Sequence, residues 1–135
     1  MKLLITNLLM MIGAILLCAL WIPFAFIYTH IKFVAREIRR SDGSILANLS
    51  RYYHAIAFTL DQTGNAACKE PLNDWFTKDA DSYRYGSPDQ TVSHVTGVNE
   101  RKLKLTFLGR LLAGILNAID EGHTKKAADN PQYNE

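Results

Sequence analysis

From Leu3 to Tyr28 the chain is apolar except for Thr6 and Asn7, and it carries no charge. As a helix rising about 1.5 Å per residue, this run reaches about 39 Å, more than the roughly 30 Å hydrocarbon core of a bilayer. A cleaved signal peptide would have an apolar region of roughly 7 to 15 residues and a small-x-small cleavage site. Here the run ends in Trp21, Ile22, Pro23, Phe24, Ala25, Phe26, Ile27 and Tyr28, too bulky for signal peptidase. Leu16 and Leu17 precede Cys18, where a lipidation signal would need a small residue, and the apolar run continues past it. A retained transmembrane anchor over residues 1–29 is the expectation. Pro23 deletes a backbone hydrogen bond and should bend it.

Charge sets its direction. Only Lys2 and the amino group lie on the N-terminal side, whereas Lys32, Arg36, Arg39 and Arg40 follow the span, offset by Glu37. The positive-inside bias puts the C-terminal part in the cytoplasm, behind a membrane crossed once. Residues 30–43 read as a basic juxtamembrane helix and turn. The same four cations form a stripe that either holds the helix against anionic lipid or only fixes topology. Asn7, Ala14, Cys18 and Ala25 share one helix face at spacings of seven, four and seven, where a second helix can approach closely.

The remaining residues, roughly 95 in number, suffice for one small domain. Net charge is +2, which gives no nucleic-acid signature. Cys68 has no soluble partner for a disulfide, in keeping with a reducing compartment. A small helical domain is expected over 44–126, followed by a mobile tail over 127–135. Its first helix should start at Ser44 and run to about Gln62, with Ile45, Leu49, Tyr53 or Tyr52, Ile56 and Leu60 on one face and Gly64 as its stop. Residues 65–86 read as an aromatic loop, in which Trp75, Phe76, Tyr83 and Tyr85 either fold over the core or contact a partner. Phe107, Leu108, Leu111, Leu112, Ile115, Leu116 and Ile119 follow the pattern of a strongly amphipathic helix with Arg110 and Asn117 opposite. It starts at Asn99 or at Thr106 and ends at Gly122. The fold class is therefore all-α: one N-terminal transmembrane helix with a small helical cytoplasmic domain.

Signals for chemistry are few. Ser87, Pro88, Asp89 and Gln90 make a capping box for a short helix from Thr91 to Thr96 closed by Gly97, although Asp89, Ser93 and His94 could instead share a site. Asp120 and His123 are three apart at a helix end, where histidine usually complements the dipole. No C-x-x-C or H-x-x-x-H spacing exists for a metal, no G-x-S-x-G elbow for a nucleophile and no glycine-rich phosphate loop. No cofactor is expected.

Three blocks carry a resemblance: Asp61-Gln62 with Asn65, then Gly86 through Ser93 with its Pro88-Asp89 pair and Thr91-Val92-Ser93, then Asp120 with His123. They resemble a loose group of small proteins of tailed bacteriophages and prophages with D-Q-x-x-N, G-x-P-D-E-T-(I/V)-S and D-x-x-H segments, over roughly the last 70 residues. The chain departs from that pattern at Gln90, where an acid is usual, and at Thr124, where cysteine often follows the histidine. The resemblance implies a phage setting and no activity. The expected function is a membrane-anchored, non-enzymatic interaction protein, with host-envelope modification or superinfection exclusion fitting such a setting. The lipid bilayer and a protein partner, or self-association, are the expected contacts. The alternatives are a membrane-tethered hydrolase or nuclease using Asp89, His94 and His123, and a virion or DNA-delivery component.

Overall fold

The computed structural model describes residues 2–40 and 44–133. Those residues are all-α, with no strand among them. The helices in chain order are α1 (Lys2–Arg40), α2 (Ser44–Ala67), α3 (Lys69–Phe76), α4 (Val92–Arg101), α5 (Phe107–Ile119) and α6 (His123–Ala128), and a 3-10 turn follows at Pro131–Tyr133. The chain divides into two compact units, Met1–Tyr53 and His54–Glu135.

The first unit is built on α1, a single 39-residue helix that runs through Pro23. Its stretch Lys2–Arg36 is long and apolar enough to cross a membrane, and none of its most apolar window is buried by protein. The expected turn at 41–43 and the side chain of Arg40 lie outside the described residues; Lys32, Arg36 and Arg39 are exposed, as are Asn7, Ala14, Cys18 and Ala25. Within this unit the start of α2 lays Tyr52 and Tyr53 against Phe26 and His30, with ring centroids 5.6 to 6.5 Å apart. Such tilted and edge-on ring pairs add to their buried area.

The second unit departs from the sequence reading at several points. Helix α2 does not stop at Gly64; it continues to Ala67 and carries Asn65 into the interior, where that residue is fully buried. Residues 65–86 are not one loop, since α3 occupies 69–76. What remains irregular, 77–90, has no helix or strand to satisfy its backbone, and three buried asparagines do so instead. Asn65 donates to the carbonyls of Ser87 and Gln90 and accepts from the Gly86 N–H. Asn73 of α3 accepts the Tyr85 N–H and donates to the Tyr85 carbonyl, both at 3.0 Å. Asn99 of α4 does the same for Tyr83, at 2.8 and 2.7 Å. A primary amide offers one acceptor and two donors, so it can pair with a peptide group as a neighbouring strand would.

The clamps hold the aromatic segment down. Tyr85 is buried among Leu72 and Val95, with Phe76, Tyr83 and Val92 packed around them. Its hydroxyl shares a 2.8 Å bond with Thr96, and burial raises the phenol's pKa above its ordinary value, so it stays protonated. Trp75 differs from its neighbours and is 61% exposed.

The Ser87 capping box does not start α4. Gln62 and Asn65 draw the carbonyls of Asp89, Ser87 and Gln90 toward α2, so 87–90 forms a turn, and Thr91 caps α4 by accepting the His94 N–H at 3.0 Å. Nor does Gly97 end that helix. A Cβ at Gly97 would lie 2.0 Å from the Thr124 carbonyl oxygen, so this glycine is what lets α4 and α6 meet. The tail beyond 126 is likewise structured in part, because α6 extends to Ala128, which is buried.

Helix α5 starts after Thr106, whose hydroxyl accepts the Gly109 N–H. Its orientation is the reverse of a core helix. The residues it buries are Gly109 and Ala113, while Phe107, Leu108, Leu111, Ile115 and Ile119 are 44 to 80% exposed. One close packing contact and one polar demand turn it this way. A Cβ at Gly109 would lie 2.4 Å from the Phe76 carbonyl oxygen, so the backbone is packed there. Asn117 faces inward because its side-chain oxygen accepts the Thr124 N–H at 3.0 Å, near the start of α6, while the Thr124 hydroxyl donates to Glu100 of α4 at 2.6 Å.

Candidate functional site

The three sequence blocks come together at the start of α4. Asp61 and Gln62 of α2 reach the Ser93 N–H and the Asp89 carbonyl. From the other side the turn between α5 and α6 delivers Asp120 and His123. Gly122, at φ +70, provides the left-handed position that this turn requires. His123 then opens α6 rather than closing a helix, which corrects the dipole reading of its position.

The result is a hydrogen-bonded chain of three side chains. His123 Nε2 lies 3.1 Å from Ser93 Oγ, and His123 Nδ1 lies 3.2 Å from Asp120 Oδ2. Asp120 also accepts from Lys126 Nζ at 2.7 Å. The Lys126 and His123 hydrogen bonds, in that order, hold the Asp120 carboxyl below its ordinary pKa, so it is a carboxylate at neutral pH. All four residues line a groove of about 490 Å³, whose apolar wall includes Ala57, Phe58 and Leu116 and whose remaining polar groups include His54, Asp61 and Thr91. Ser93 is only 3% exposed, and the groove is the side from which it is reached.

Of the expected trio, only His123 lines this groove. Asp89 is exposed and engaged through its backbone carbonyl. His94 is buried, with Nδ1 at 2.9 Å from the Ala127 carbonyl oxygen and its ring edge-on to Tyr83. It ties α4 to α6. Ser93 and Asp120, rather than His94 and Asp89, are bonded to His123; the spacing of three between Asp120 and His123 was visible along the sequence, whereas the approach of Ser93 was not. Among the described residues no group of three or more His, Cys, Asp or Glu side chains could hold a metal ion.

No known family model, curated protein or solved structure matches the chain.

The second notable surface is the outer side of α5. Phe107, Leu111, Ile115 and Ile119 follow one another along it, at 71, 51, 52 and 80% exposure. Arg110 is the one charged residue between Phe107 and Ile119. Just before α5, Leu103 is 79% exposed and sits at φ +57, a backbone region that a bulky side chain adopts only under constraint. Contiguous apolar surface on a folded unit marks contact with another molecule far more often than isolated exposed residues do. Trp75 is exposed as well, whereas Phe76, Tyr83 and Tyr85 are partly or fully covered by the unit itself.

Proposed function

We propose that this is a membrane-anchored interaction protein, which crosses the bacterial inner membrane once and docks a protein partner through the outer side of α5. The observation that carries the reading is the row Phe107, Leu111, Ile115 and Ile119, large apolar side chains left in solvent on a regular helix. A length of apolar helix sufficient to cross a bilayer supports the address, and the cations Lys32, Arg36, Arg39 and Arg40 following it favour a cytoplasmic second unit. The resemblance of the three sequence blocks to phage proteins supports a role in host-envelope modification or superinfection exclusion. Interface cores are enriched in aromatic and large apolar groups and depleted of charge, which matches α5. The test is affinity capture of the full chain from membranes in mild detergent. The double variant Leu111→Asp with Ile115→Asp should lose the partner recovered with wild type while keeping its membrane fractionation and melting temperature. Recovery of the same partner in equal yield would defeat the proposal.

A further inference from the structure

We infer that the groove at the start of α4 is a serine acyl-transfer site, with Ser93 as nucleophile, His123 as base and Asp120 as the group that orients the base. This goes beyond docking through α5 and stands on different residues. The geometry is directional. Asp120 Oδ2 at 3.2 Å accepts from Nδ1–H of His123, which selects the tautomer whose Nε2 carries a lone pair. That Nε2 faces Ser93 Oγ at 3.1 Å and accepts its hydroxyl proton. Nucleophile, base and orienting carboxylate within hydrogen-bond reach of one another form the arrangement that activates a hydroxyl. The members lie on α4, at the first residue of α6 and just after α5, so chain adjacency does not force the full set together. Other polar ties in this unit, such as Thr124 to Asn117, lack this order.

Ser93 is the second residue of α4, so its own N–H points out of a helix start, where a developing negative charge is favoured. That N–H is held by Asp61 Oδ2 at 3.4 Å, a bond long enough for a carbonyl oxygen to replace. Ala57, Phe58 and Leu116 provide an apolar wall, and Asp61 disfavours an anion beside Ser93, while Lys126 pairs the charge of Asp120. The ligand class is therefore an uncharged ester with an apolar acyl group. Ser93 Oγ bonds to the ester carbon as its proton passes to His123 Nε2. The carbon–oxygen bond to the alcohol then breaks, and the alcohol leaves with that proton. Water attacks the acyl-Ser93 carbon while His123 takes a proton from it; Ser93 departs with that proton and the acid is released. The balance is ester plus water to acid plus alcohol.

The test treats the full chain in detergent micelles with a fluorophosphonate probe and locates adducts by mass spectrometry. The expected result is an adduct on Ser93 that disappears when the protein is heat-denatured before labelling. His123→Gln should slow labelling about a hundredfold or more, the usual worth of a positioned base, and Asp120→Asn should slow it less. Absence of a Ser93 adduct on the folded chain, or an equal labelling rate in a folded His123→Gln, would overturn the assignment. Because the adduct is read on the wild-type chain, the outcome does not depend on whether a Ser93→Ala variant folds.

Discussion

Replacing Asn73 by alanine removes the partner of a buried peptide group, and the size of the effect follows from the geometry. Asn73 is 3% exposed, and Tyr85, whose N–H and carbonyl it engages at 3.0 Å each, is 2% exposed. Alanine leaves both of these groups unpaired in a site with little access to water. At about 1–3 kcal/mol for each unsatisfied buried group, the loss is about 3 kcal/mol. For a domain of this size about 1 kcal/mol moves the melting temperature by about 4–8 °C, so the second unit should melt roughly 12–24 °C lower. Asn73→Asp separates hydrogen bonding from volume. It keeps the shape and the bond from the Tyr85 N–H but turns an acceptor toward the carbonyls of Tyr85 and Lys69, where an N–H₂ now donates. It should also be strongly destabilised at neutral pH. The assay is thermal melting of the full chain in micelles, followed by circular dichroism at about 222 nm, with α1 contributing a constant background. Melting of both variants within about 3 °C of wild type would refute the idea that asparagine side chains replace the missing backbone partners of 77–90.

Other substitutions probe the remaining joints. Gly97→Ala should destabilise the second unit by about 1–3 kcal/mol, since the new Cβ meets the Thr124 carbonyl oxygen at 2.0 Å, whereas Gly114→Ala meets nothing within 4 Å and should gain up to about 1 kcal/mol of helix propensity. Paired melting curves in which both shift alike would contradict the close α4 to α6 approach. The Asp120 carboxyl is depressed in the folded chain, so its contribution is present above the ordinary carboxylate range and fades as pH falls through the lowered folded value. In an NMR titration Lys126→Ala should move the Asp120 midpoint upward, and an unmoved midpoint would remove Lys126 as the main cause. A C-terminal reporter active only in the periplasm should stay inactive, and activity would reverse the orientation drawn from the basic cluster.

How far the sequence alone could lead is clearest from particular residues. The long first helix and the Thr106 cap, one of two starts the sequence offered for α5, depend on local chemistry, namely an unbroken apolar run and a hydroxyl cap; Gly122, expected to end α5, instead forms the left-handed position before α6, and α5 ends at Ile119. The asparagine clamps were not legible, because Asn65, Asn73 and Asn99 read locally as turn or cap residues and their partners are 12 to 25 positions away. The same distant demand converted the Ser87 box from a helix start into a turn. Periodicity identified α5 but could not say which side faces inward. That was decided by the close backbone approach at Gly109 and by the inward role of Asn117. Ser93, Asp120 and His123 were each noticeable in their own blocks, yet the bond between His123 and Ser93 spans 30 positions, and adjacency suggested His94 in its place.

If the outer side of α5 is a contact surface for another protein at the membrane, side chains along it must touch that protein in the cell while those on the inner side do not. A photocrosslinking amino acid placed at Ile115, 52% exposed, and in a second chain at Ala113, 1% exposed, reads this contact in intact cells. A discrete crosslinked protein species should form from position 115 in the membrane fraction and none from position 113. No protein adduct at position 115, in a chain that is membrane-bound and folded, would show that α5 does not dock a protein partner.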